Sequence, residues 1–73
     1  MDMRALVGTN VRRRRLGLGL TQEQFAERSG FTQQYISDLE RGRRNPTVVS
    51  LLELAQALDT TPVALITPHE GPE

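Results

Sequence analysis

The stretch TQEQFAERSGFTQQYISDLE, residues 21–40, reads as two short helices joined by a tight turn. Thr21 is an N-cap, and Gln24 stands three residues on, the spacing of a capping box. Leu20 and Phe25 bracket that cap as a hydrophobic staple. Ser29-Gly30 ends the first helix, because glycine enters the left-handed C′ conformation without steric cost. Thr32 then caps a second helix, and Phe31 and Ile36 repeat the staple spacing. An ordinary helical hairpin is the alternative on spacing alone.

At about 100° per residue, Ile36 and Leu39 share one side of the second helix and must face a core. Gln34, Ser37 and Arg41 lie opposite, flanked by Gln33 and Asp38. This face is polar, short-chained and rich in amide. An amide both donates and accepts, so a glutamine can pair with N6 and N7 of adenine in a major groove. A solvated helix face would carry the same residue types.

Residues 21–46 resemble the helix-turn-helix of the phage repressor/Cro proteins, the XRE family. The resemblance is carried by Thr21-Gln22, Phe25-Ala26, Gly30, Tyr35-Ile36-Ser37, Leu39-Glu40, Arg41-Gly42-Arg43-Arg44 and Asn45-Pro46. It continues more weakly to about Ile66. It implies an all-α, compact five-helix bundle, a lambda-repressor-like DNA-binding domain over residues 1–66; residues 67–73, with two prolines and a glycine, are expected to form a flexible tail. The second helix of the motif would enter the major groove. Gln33 and Gln34 are then the favoured base readers, with Ser37 and Asp38 secondary. Gln22, Tyr35, Arg41, Arg43, Arg44 and Asn45 would hold the DNA backbone. Arg15 matches a family position whose arginine pairs with the glutamate ending the reading helix, here Glu40.

With 73 residues the chain allows one domain. It has no cysteine, hence no disulfide or thiolate-metal staple, which is compatible with a reducing cytosol. No apolar run approaches the roughly 20 residues of a membrane span, and the N-terminus lacks a signal-peptide apolar region. A cytoplasmic protein is expected, at the nucleoid when bound to DNA. Net charge is zero, yet residues 1–45 hold 9 arginines against 5 acids, and residues 46–73 hold 4 acids with no arginine or lysine. Such asymmetry suggests one anion-binding face and one turned away from it.

A first helix is expected from Asp2, as cap or as first-turn charge, to about Leu16, with Leu6, Val7 and Val11 inward. Arg12 to Arg15 splay around its axis and read as a solvated face. Arg14 stands where the family often has leucine, thinning the inner side. Gly17 and Gly19 end the helix, and Gly42 and Pro46 end the reading helix. Thr47 caps a fourth helix whose core stripe is read as Val48, Leu51, Leu52, Ala55 and Leu58. Asp59 replaces a frequent family glycine, so a strained or altered exit turn is expected. Thr61 caps a short fifth helix with Pro62 at N1. The resemblance makes Val63, Leu65 and Ile66 a two-fold dimer contact; closure of the monomer core is the alternative.

No catalytic constellation emerges. The single histidine, His69, is in the tail, and neither metal-ligand spacing nor a phosphate-cradling loop is present. An enzyme is not expected, and neither is a cofactor or metal. The reading is a sequence-specific transcriptional regulator, a repressor or autoregulator that binds a palindromic operator in double-stranded DNA as a homodimer. The alternative is an antitoxin-type partner-binding protein that neutralises a toxin through its apolar C-terminal helices.

Overall fold

The structure, a computed structural model, describes residues 2–69. Five helices follow in order: α1 (Met3–Gly17), α2 (Gln22–Ser29), α3 (Gln33–Glu40), α4 (Val48–Ala57) and α5 (Pro62–Ile66). Every one begins at a side-chain cap. Asp2 accepts from the amides of Arg4 and Ala5. The Thr21–Gln24 capping box forms in both directions, at 3.0 and 2.9 Å. Thr32, Thr47 and Thr61 accept from the third amide of α3, α4 and α5. Each such cap contributes about 1 kcal/mol, which matters in a small domain that buries only about 60% of its unfolded surface.

The core gathers Val7 and Val11 of α1, Phe25 of α2, Ile36 and Leu39 of α3, Leu54 and Ala55 of α4, Leu58, and Leu65 of α5. α1 lies against α3 and α5, α2 against α3 and α4, and α4 against α5. The α2–α3 turn rests on Gly30, whose φ is 82°.

The fourth helix departs from the sequence expectation. Its inward stripe is Leu54, Ala55 and Leu58, all buried, with the partly buried Leu51 packed against them and Ala57 beside them. Leu51, Leu54, Ala55 and Leu58 follow the i, i+3, i+4, i+7 pattern of one helix face. Val48 and Leu52, expected on that stripe, are instead 85% and 44% exposed. Val48 and Val49, at the start of α4, thus stand clear of the core.

Asp59 closes α4 with φ 53°, the left-handed conformation that glycine would adopt more cheaply. Two arginines hold it there. Arg14 donates from Nε to the Leu58 carbonyl at 2.8 Å and from Nη2 to the Asp59 carbonyl at 2.9 Å. Arg28 meets the Asp59 carboxylate at 3.3 Å. Arg14 therefore satisfies C-terminal carbonyls of α4, where a leucine would have supplied only apolar contact.

Candidate nucleic-acid interface

α3 is anchored from behind so that its outer face is presented. Ile36 and Leu39 are fully buried. Behind them α1 crosses at Gly8, where an added Cβ would lie 2.4 Å from the Leu39 carbonyl oxygen. Only glycine permits this approach. Neither Gly8 nor its role is marked by local spacing, since a glycine inside a helix reads as a simple propensity defect.

The second anchor is the ion pair of Arg15 and Glu40. Arg15 Nε lies 2.6 Å from Glu40 Oε2 and Nη2 lies 2.9 Å from Oε1, a two-pronged contact with side chains 9% and 3% exposed. A third guanidinium donor, Nη1, reaches the Leu20 carbonyl at 2.8 Å. The hydrogen bond to Glu40 raises the Arg15 pKa, against the opposing effect of burial. Gln22 Nε2 also donates to Glu40 Oε1, at 3.2 Å. The amide expected on a DNA backbone is thus turned toward the end of α3 in the unbound chain.

On the outer face Gln33 and Gln34 are exposed, and Ser37 and Asp38 are half-buried. Gln34 Nε2 donates to Asp38 Oδ1 at 3.0 Å. Asp38 Oδ2 is 3.7 Å from Arg44 Nη2. The Arg44 guanidinium lies over the Tyr35 ring, 5.1 Å from its centroid, and Tyr35 stacks on Phe31 at 4.7 Å. Burial raises the Tyr35 pKa, while the charge of Arg44 acts to lower it. Beyond α3, Arg41, Arg43, Arg44 and Asn45 are all exposed. The arrangement is a row of amide and hydroxyl groups bordered on one end by guanidinium groups, suited to a polyanion that also displays hydrogen-bonding edges.

The basic run of α1 is not a uniform solvated face. Arg15 is buried in its pair with Glu40, and Arg14, although exposed, is bonded to carbonyls at the end of α4. Arg13 Nη1 donates to Asn10 Oδ1 at 2.9 Å. Asn10, which is buried, in turn donates from Nδ2 to the carbonyls of Leu65 and Thr67, both at 2.9 Å. It closes the C-terminal end of α5 onto α1, so Thr67 is tied to the bundle rather than part of a free tail. The rest of the expected tail after His69 lies outside the described residues. Asn10 has no sequence signal, because its partners are backbone carbonyls more than 50 positions away.

Of the residues expected at a dimer contact, Leu65 is 2% exposed and belongs to the monomer core. It packs into the core that α5 shares with α1 and α4, the alternative expected for this residue, and presents almost no surface outward. Val63 and Ile66 are 67% and 41% exposed and face outward. Among the described residues no helix is long and apolar enough to cross a membrane.

This geometry coincides with a known family. A model described as Helix-turn-helix, HTH_3, matches residues 11–65. The chain belongs to this helix-turn-helix family. It is 65% identical over 70 residues to an uncharacterised HTH-type transcriptional regulator of Sinorhizobium fredii, covering 96% of this chain and 91% of the relative. In structure it resembles the restriction-modification controller protein C.AhdI of Aeromonas hydrophila, with a TM-score of 0.81 and 40% identity over 85% of this chain and 94% of that one. It also resembles the controller protein C.Esp1396I, solved as a tetramer on its natural 35-base-pair operator, with a TM-score of 0.81 and 32% identity over 89% of this chain and 86% of that one. This helix-turn-helix chain is a DNA-binding transcriptional regulator of the XRE type. The names of its relatives favour that reading over a toxin-neutralising module.

Proposed function

We propose that the chain is a repressor or autoregulator that binds a palindromic operator as a homodimer. The observation that carries this reading is the outer face of α3: Gln33 and Gln34 project beside the exposed Arg41 and Arg43, while the inner face is fixed by Gly8 and by the Arg15–Glu40 pair. α3 would lie in the major groove, with Gln33 and Gln34 on base edges and Ser37 in support. Arg41, Arg43, Arg44 and Asn45 would take phosphates, joined by Gln22 and Tyr35 once DNA draws them from their present partners.

A homodimer follows from size. One reading helix of 8 residues reaches only a few base pairs. Two copies about a two-fold axis would place their reading helices about 34–36 Å apart, in successive major grooves. Val63 and Ile66 of α5, together with the cleared Val48 and Leu52, offer apolar surface for such a contact. The operator-bound tetramer of the controller C.Esp1396I supports assembly on DNA as the working mode.

Selection from a random DNA pool, followed by sedimentation of the protein with and without the selected duplex, tests the proposal. A palindromic sequence bound by two chains is expected. Val63→Arg should weaken that binding and leave the monomer folded, whereas Leu65→Arg should unfold it. Selection of no sequence, or one chain per operator, would refute the reading.

A further inference from the structure

The Asp38 carboxylate stands between two groups with different tasks. Its Oδ1 accepts from Gln34 Nε2, one helical turn earlier on α3, at 3.0 Å. Its Oδ2 faces Arg44 Nη2 at 3.7 Å. Both oxygens are therefore engaged before any DNA arrives. A base amine approaching Asp38 would compete with these partners for the carboxylate, which would also meet the phosphates with like charge. Asp38 is badly placed to read a base itself.

It is well placed to orient a residue that does. A glutamine amide carries two N–H donors and a carbonyl acceptor. One N–H is used by Asp38, which leaves the carbonyl oxygen and the other N–H of Gln34 outward. Those two groups are what N6 and N7 of adenine require. The same bond fixes which end of the amide is nitrogen, so the side chain does not have to choose between two flipped orientations when it meets the groove. On the other side, Arg44 holds Asp38 at the long end of ion-pair distance, and its side chain is 47% exposed. It can exchange the carboxylate for a phosphate while Gln34 keeps its bond.

We propose that Asp38 is a positioning residue: it holds the Gln34 amide in its base-reading orientation and hands Arg44 to the DNA backbone. This rests on the assignment of Gln34 as a base reader. The test compares Asp38→Asn, Asp38→Ala, Gln34→Ala and the Gln34→Ala/Asp38→Ala double variant. Each binds the duplex selected by the wild-type protein and a scrambled duplex, with thermal melting as a folding control. Asparagine keeps an acceptor oxygen for Gln34 but offers Arg44 no charge.

Asp38→Asn should keep the discrimination between duplexes within about twofold and bind both more tightly, because the carboxylate's repulsion is gone. Asp38→Ala should lose discrimination by about fivefold or more, as Gln34→Ala does. The double variant should be no worse than Gln34→Ala alone. Equal loss of discrimination in the Asn and Ala variants, unchanged discrimination in Asp38→Ala, or additive losses in the double variant would each overturn the proposal. A wild-type protein that prefers neither duplex would remove the base-reading assignment and this proposal together. A preference that persists with additive losses would remove this proposal only.

Discussion

Two arginine clusters invite comparison: the continuous run Arg12–Arg15 of α1 and the loop carrying Arg41, Arg43 and Arg44 after α3. The run is the denser in sequence, yet the fold engages most of it in bonds within the molecule, and Arg15 is buried. Arg15 grips Glu40, Arg14 closes the end of α4, and Arg13 bonds Asn10. The loop arginines stay exposed, and among the described residues Arg44 alone of the three has side-chain partners, at Asp38 and Tyr35. The difference arises from geometry. Consecutive residues on a helix point in different directions, so a run on α1 is divided among α3, the α4–α5 turn and solvent. The loop touches α1 at Gly42, but its arginine side chains are exposed. Charge counted along a sequence is therefore a poor measure of charge available to a ligand.

The comparison breaks most sharply at Arg15. Removing one member of a buried pair costs about 3–5 kcal/mol, a large share of the stability of so small a domain. Arg15→Ala and Glu40→Ala should each be strongly destabilised in urea unfolding, and the double variant should lose much less than their sum. Additive small losses would put Arg15 with the surface arginines instead. At the same α1–α3 crossing, Gly8→Ala forces a Cβ against backbone that cannot swing aside. A loss of about 1–3 kcal/mol is expected by thermal melting. An unchanged melting temperature would show that the helices can separate at no cost.

Arg14 should give an intermediate effect. Its bonds to two carbonyls at the α4–α5 turn are charge-assisted but partly solvated, and their loss in Arg14→Ala should cost about 1.5 kcal/mol. Hydrogen exchange should show faster opening of α5 than of α3 in that variant. The loop arginines should behave oppositely. Arg41→Ala and Arg43→Ala should change stability by less than about 0.5 kcal/mol. They should weaken binding to every duplex and flatten the salt dependence by up to about one unit per phosphate contact. A stability loss without a change in salt slope would place them with the run.

How much of this was legible beforehand depends on the range of each interaction. The caps at Thr21, Thr32, Thr47 and Thr61, and the glycine turn at Gly30, are local, and their residue types name their roles. The inward pair Ile36 and Leu39 follows from helical period alone. The Arg15–Glu40 contact joins positions 25 apart and entered only through family resemblance. Three features had no signal. Gly8 matters because another backbone passes it, Asn10 because α5 ends above it, and Arg14 because its acceptors lie 44 and 45 positions away. Val48 and Leu52 satisfy the helical period of the α4 stripe yet are exposed, because period alone does not show where along a helix the core ends. Dimer contact and core closure stay open for Leu65 in the sequence because a short apolar helix does not reveal which of its faces is covered.

The central claim is that α3 reads bases while the loop after it grips phosphates. Its most direct test is the affinity of wild-type, Gln33→Ala and Gln34→Ala proteins for the selected duplex and for a scrambled one at fixed salt. Each substitution should reduce discrimination by about 1–3 kcal/mol and leave scrambled-duplex affinity nearly unchanged. An equal loss on both duplexes would contradict the account, because it would make these glutamines backbone contacts and leave α3 without a reader.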